Sequence, residues 1–250
     1  MFPVSDDGML PTPPPGTVAR VRPRGRGAEF STEVRGDRLQ FRIRPEEGCL
    51  HGVTARWNNG PRWHPMADGG PMFDRRGVPP GTARVVSSAL RHGVLTVHWR
   101  EGVGRRALEW EADYSVRGCT LVVDVRCSGG KATGLALGDV AGLSDPRGIE
   151  VPYLLMGQKP GPWIAHADGI FVSVLPDWYH SDCSAIDTSV VPTRGDRIGL
   201  MRGTSYQPLT DGRRNPLRDR ILVTVSSEFA DTLPNARNPV TAPARVSAPV

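Results

Sequence analysis

Along most of this chain apolar residues return at every second position, the spacing that places them on one face of a β-strand. Phe30, Thr32 and Val34 alternate with polar neighbours, Arg35-Gly36-Asp37 turns the chain, and Leu39, Phe41 and Ile43 resume the pattern. This is the signature of a hairpin. The clearest example runs over 106–127. Leu108, Trp110, Ala112, Tyr114 and Val116 alternate with Glu109, Glu111, Asp113 and Ser115, and Arg117-Gly118 then leads into Cys119, Leu121, Val123, Val125 and Cys127. A two-residue turn at 117–118 pairs Tyr114 with Leu121, Ala112 with Val123, Trp110 with Val125 and Leu108 with Cys127, all on one face. On the other face it sets Glu109 opposite Arg126 and Glu111 opposite Asp124. That like-charge pair requires solvent or an arginine from another element.

Further strands are expected at 50–57, 83–90, 93–100, 133–143, 149–155, 163–166, 169–175, 197–203 and 217–226. Short strands at roughly ten-residue spacing, with no βαβ alternation, define an all-β fold: a large antiparallel β-sandwich with little helix. The span 52–82, from Trp57-Asn-Asn-Gly through Trp63-His64 to Phe73-Asp74, reads as a long turn-rich connection of the kind that carries function. Residues 1–16, ending in Pro13-Pro-Pro-Gly16, read as an extended Pro-rich lead-in. Residues 17–232 form a single sandwich domain, and 233–250 a Pro-rich tail or linker.

Composition agrees: 29 Gly and 24 Pro punctuate short strands and leave little room for long helices. The net charge of +5 comes from 31 basic and 26 acidic residues, with Lys131 and Lys159 the only lysines. The arginines are spread along the chain among Asp and Glu, without a long basic block or a groove-reading motif, so nucleic acid is not the expected partner. No segment approaches the ~20 apolar residues of a membrane span, and the first residues lack the charged and apolar regions of an export signal. As written, the chain reads as cytoplasmic. Cys49, Cys119, Cys127 and Cys183 form no CxxC pair, and the histidines at 51, 64, 92, 98, 166 and 180 show no metal-ligand spacing. Free thiols are expected, with no metal and no cofactor. The Arg-Gly-Asp of 35–37 recurs at 194–196 and is turn chemistry rather than an adhesion signal.

Two stretches carry the candidate chemistry. After Pro176 ends a strand, Asp177-Trp178-Tyr179-His180-Ser181-Asp182 follows as a loop, and Tyr206 to Arg220 is dense in Asp and Arg. Carboxylates and guanidinium forks bind vicinal hydroxyls, and flat aromatic rings cover the apolar face of a pyranose, so the mixture suits sugars. His180, Asp182 and Asp211 are the candidate acid–base groups. Trp63, His64, Asp177, Trp178, Tyr179, Tyr206, Arg213 and Arg214 are the candidate substrate-binding residues. Structural roles compete for each: Trp178 and Tyr179 can close the end of the sandwich while Asp177 and Asp182 cap turns. Asp219 shares a buried face with Leu217, Ile221 and Val223 and must be paired or hydrogen-bonded there, with Arg213, Arg214 or an arginine from a neighbouring strand as the natural partner. No GxSxG elbow, phosphate loop, HExxH or dinucleotide fingerprint is present.

One family pattern matches these residues. The run Ala112-Asp-Tyr through Gly118-Cys-Thr-Leu-Val-Val-Asp-Val-Arg-Cys to Gly134 resembles the galactose-mutarotase-like β-supersandwich domain of bacterial glycoside-hydrolase-like proteins. Glu150-Val-Pro-Tyr153, Asp177-Trp-Tyr179, Thr210-Asp-Gly-Arg-Arg-Asn-Pro-Leu-Arg-Asp-Arg220 and Leu233-Pro-Asn235 extend the likeness over roughly 28–240. In such proteins a following barrel supplies the catalytic acids, and this sequence stops about where that barrel would begin. The resemblance therefore implies a sandwich that binds or positions a glycan or polysaccharide, with a catalytic domain or a second copy as possible partner. Two alternatives stay open. One is a small epimerase, lyase or hydrolase using His180 with Asp177, Asp182 or Asp211, and the other is a structural or assembly module.

Overall fold

The computed structural model describes residues 8–74, 82–104, 107–151, 164–187 and 191–235. Among them are twenty strands and three 3-10 turns, at Pro45–Glu47, Trp178–His180 and Phe229–Thr232, with no α-helix. The first sheet has the order β1 (Ala19–Arg24), β2 (Gly27–Val34), β3 (Asp37–Ile43), β4 (Val53–Trp57), β5 (Arg62–Ala67), β12 (Asp139–Ala141), β18 (Arg197–Gly199) and β17 (Val191–Arg194). The second runs β13 (Arg147–Ile149), β14 (Ile164–Ala167), β15 (Ile170–Pro176), β20 (Leu217–Ser226), β10 (Thr120–Cys127), β9 (Leu108–Arg117), β8 (Val94–Glu101) and β7 (Arg84–Arg91). A smaller third sheet orders β16 (Ala185–Asp187), β19 (Gly203–Ser205), β11 (Ala132–Ala136) and β6 (Gly70–Phe73). Neighbouring strands pair antiparallel throughout, so the molecule is an all-β antiparallel sandwich.

Alternation makes the core. Phe30, Leu39, Phe41, Ile43 and Val53 line the inner face of the first sheet, and Leu95, Val97, Leu108, Tyr114, Leu121, Val123, Ile221 and Val223 that of the second, in one continuous cluster. Two polar ties cross between the sheets. The Tyr114 hydroxyl donates to the Cys49 carbonyl at 2.7 Å, and the Trp99 indole N–H to the Pro45 carbonyl at 3.0 Å. Each satisfies a buried backbone acceptor in the loop between β3 and β4. The cysteines are unpaired, and burial pushes the Cys49 thiol up to about 12 and those of Cys119, Cys127 and Cys183 to about 11.

The β2–β3 hairpin turns through Arg35 and Gly36, at φ 53 and 90, with Val34 opposite Asp37. The β9–β10 hairpin departs from the register expected of it. Its turn is Gly118-Cys119, so Val123 faces Tyr114, Val125 faces Ala112 and Arg126 faces Glu111. Gly118 takes φ 61 at the first of the two turn positions, the placement a type II′ turn asks for. A two-residue slip preserves every face, because the pleat has period two. It does change the charge pairing: Asp113, not Glu111, stands opposite Asp124. Arginines neutralise both, Arg126 reaching Asp113 at 2.5 Å and Arg220 gripping Asp124 at 2.8 and 3.1 Å.

Three further corrections concern extent. The span 52–82 is not one connection: β4 falls within the strand expected at 50–57, and β5 and β6 follow it, with Pro65 and the Gly69-Gly70 pair masking their alternation. Strand β1 was not expected, because Pro23 breaks the pattern; at a sheet edge the missing N–H costs no ladder bond. The stretches 133–143 and 197–203 each divide into two strands that pair in different sheets. Most of the strand expected at 149–155 lies outside the described residues.

Before β1, residues 8–14 run over the outer face of the second sheet. Met9 and Leu10 are buried against Val122 and Leu222, with Trp178 and Tyr179 packed beside them. Asn235 N–H donates to the Met9 carbonyl at 3.1 Å, holding the strap from its other side.

Candidate functional site: a charged groove on the second sheet

A groove of about 1050 Å³ lies over the outer faces of β8, β9, β10 and β20. Residues 182–183 and 215–216 wall one side, and Val86-Ser87 of β7 the other. The ladder slips between Val85 and Ser87, a bulge that bends the sheet edge beside the groove.

Strand register assembles its floor. His98 pairs with Glu111, Glu111 with Arg126, and Arg126 with Arg218, so four polar side chains cross four strands in one row. Adjacent strands lie about 4.8 Å apart, which brings neighbouring side chains of the row within reach of a common ligand. The next row holds Arg100 opposite Glu109. His98 Nδ1 lies 3.2 Å from Glu111 Oε2, Arg126 Nε donates to Glu111 Oε1 at 2.5 Å, and Arg100 Nε sits 3.3 Å from Glu109. Burial works against the Arg126 charge, but the hydrogen bonds it donates to Glu111 and Asp113 outweigh it and raise its pKa. Arg218 has no side-chain ion pair among the described residues and is exposed in the groove, as is the Asp182 carboxylate. Among the described residues no group of His, Cys, Asp and Glu is arranged to hold a metal.

The two stretches singled out in the sequence lie side by side. Asp177 N–H donates to the Arg220 carbonyl at 2.7 Å and Asp182 N–H to the Arg218 carbonyl at 2.9 Å. Of the candidate acid–base groups, only Asp182 reaches the groove. Asp177 is fully buried and accepts from Met9 N–H at 3.2 Å and Tyr179 N–H at 3.1 Å, while its Oδ2 lies 2.9 Å from His180 Nδ1. The strap thus covers the Asp177–His180 pair. Trp178 and Tyr179 are half-buried and pack beside the same strap, outside the groove. Asp211 is exposed and caps its own turn, accepting from Arg213 N–H at 2.9 Å.

The remaining candidates also have structural work. Trp63 is core, and His64 stacks on His51 with ring centroids 5.4 Å apart. Tyr206 is buried, its hydroxyl 2.8 Å from Asp219 Oδ1. Arg214 donates from Nε to the Tyr206 carbonyl at 3.1 Å and reaches Asp74 at 3.4 Å, whereas Arg213 is 87% exposed. Asp219 is held by hydroxyls, from Thr204 at 2.5 Å and from Tyr206, not by Arg213 or Arg214. Sequence reasoning named none of His98, Glu109, Glu111, Arg126 and Arg218 as a site residue, although it paired Glu109 with Arg126 and Arg218 lies in the Asp- and Arg-dense stretch. Their only signal was alternation on a polar face, which a solvated sheet shows equally well.

With this geometry established, the strand order and pairing define the chain as an antiparallel β-sandwich. No protein-family model matches it, and no curated protein is significantly similar.

Proposed function

We propose that this chain is a carbohydrate-recognising β-sandwich of the galactose-mutarotase-like kind, holding a polyhydroxylated ligand in the groove over β8, β9, β10 and β20. The observation that carries the reading is the row His98, Glu111, Arg126, Arg218, in which acceptors and fork-shaped donors adjoin across the floor of a 1050 Å³ groove. Vicinal hydroxyls both donate and accept, and a bidentate guanidinium beside a carboxylate matches them. The volume stands at the upper end for small-molecule sites and admits more than one sugar ring. Calorimetric titration with neutral oligosaccharides tests this. Binding is expected for the wild type, weakened about tenfold, or about 1.4 kcal/mol, in Arg218→Ala. A panel without any binding overturns the reading, and unchanged affinity in both Arg218→Ala and His98→Ala removes the groove as the site.

A second reading, acid–base turnover of a sugar, is favoured by one contact. His98 and Glu111 are 3.2 Å apart in the open groove, whereas His180 is beneath the strap. In this reading His98→Ala abolishes turnover while His180→Ala leaves it in place.

A further inference from the structure

The outer face of the first sheet carries arginine far in excess of acid. By strand alternation Arg20 and Arg22 of β1, Arg38 and Arg42 of β3, Arg56 of β4 and Arg62 of β5 all lie on it, against Glu29 and Glu33 of β2. The register places Glu29 between Arg22 and Arg42, and sets Arg56 directly opposite Arg62. Glu29 is oversubscribed: it accepts from Arg62 Nη2 at 3.0 Å and Gln40 Nε2 at 3.4 Å, with Arg24 at 3.9 Å. Arg20, Arg22, Arg38 and Arg42 have no carboxylate partner among the described residues.

Two observations indicate that this excess is functional rather than a solvated face. Arg42 Nε and Arg62 Nη1 are buried and have no hydrogen-bond partner. A buried donor left unpaired costs about 1–3 kcal/mol, more when charged, and an anion held at the exposed nitrogens of the same half-buried guanidiniums would offset that cost. The crowding acts in the same sense: burial first, then Arg42 and Arg56, lower the Arg62 pKa against the opposing pull of Glu29. The second observation is a cleft of about 370 Å³ where the chain entering β1 crosses the sheet, lined by Arg20, Arg22, Ser31, Glu33 and Arg38. It offers a concave seat beside the Arg42, Arg56 and Arg62 group.

We infer that the outer face of the first sheet is a second binding surface, separate from the groove, for an acidic polysaccharide whose carboxylates or sulfates dock on Arg20, Arg22, Arg38, Arg42, Arg56 and Arg62. The choice of a sugar polymer rests on the carbohydrate reading; the anion chemistry does not. Nucleic acid fits this face less well. The outward positions of β1 to β5 include no Phe, Tyr or Trp on which unpaired bases could stack, and a sheet face presents no helix or ribbon to enter a duplex groove.

The test uses the intact chain with polygalacturonate, a sulfated polysaccharide, a neutral oligosaccharide and duplex DNA, each titrated at low and high salt. The triple variant Arg20→Gln, Arg22→Gln, Arg38→Gln changes only exposed side chains and preserves the fold. One or both acidic polymers are expected to bind, more weakly as salt rises, and to lose about tenfold or more in the triple variant. Which one binds distinguishes carboxylate from sulfate. Arg218→Ala should leave acidic-polymer binding intact. The inference is overturned if neither acidic polymer binds, if the triple variant binds them as well as wild type, if Arg218→Ala weakens them equally, or if duplex DNA binds as tightly. Acidic-polymer binding that survives when every neutral ligand fails sinks the groove and leaves this surface standing.

Discussion

Asp219 carries the most information of any single residue, because its alternation placed it on the buried face while its chemistry demanded a partner. The expected partner was an arginine, and the structure supplies the hydroxyls of Thr204 and Tyr206. Neutral donors stabilise the carboxylate less than a guanidinium does, so burial wins and its pKa rises above 3.8. The folded state then binds this proton more tightly than the unfolded chain. Stability from this group therefore falls as pH rises from the unfolded value through the raised folded one, and the full cost is present above that window. Asp219→Asn keeps an acceptor for the Tyr206 hydroxyl and removes the ionisation. We expect a variant at least as stable as wild type at neutral pH, with a flatter pH dependence of the denaturant midpoint. A marked loss of stability at neutral pH counts against it. The half-buried Arg214 shows the same limit of sequence reasoning: its charge was legible, but its destination, the Tyr206 carbonyl, depends on where a loop returns.

At the scale of elements, faces were legible and partners were not. The β9–β10 hairpin had the right apolar face and a register two residues off, because a period-two pattern is unchanged by a slip of two. The slip matters chemically, since it puts Glu111 opposite Arg126 and so builds the groove's central row. The strap at 8–14 is the element least visible in the sequence. It has no periodicity, yet Gly8 sits at φ 51 where a Cβ would meet Asp177 Oδ2 at 2.1 Å and His180 Nδ1 at 2.5 Å. Asp177 has no room to retreat, being fully buried. Gly8→Ala is expected to lift the strap from the sheet and cost about 1–3 kcal/mol. A shift of Trp178 fluorescence together with a lower melting temperature reports it, and wild-type values for both exclude it.

For the whole molecule, the tie between the two large sheets makes a sharper test than the apolar core. Tyr114→Phe keeps the ring in place and removes only the bond to the Cys49 carbonyl, leaving a buried acceptor unpaired. Loss of about 1–2 kcal/mol in chemical denaturation is expected, without change of fold. The same packing puts the groove and the arginine face on the outer surfaces of opposite sheets, which is why separate variants can address them. Taken alone, the amino-acid pattern determined that this chain is antiparallel β and which residues face inward. Those properties follow from a strand's two-residue repeat and from burial of apolar surface, both of which are local. Only the tertiary structure decided that Asp177 and His180 lie under a strap, that His98, Glu111, Arg126 and Arg218 form one row, and that six arginines share one face. Each of these depends on which strand becomes whose neighbour, and hydrogen-bonded pairing between distant segments leaves no mark in the sequence of either.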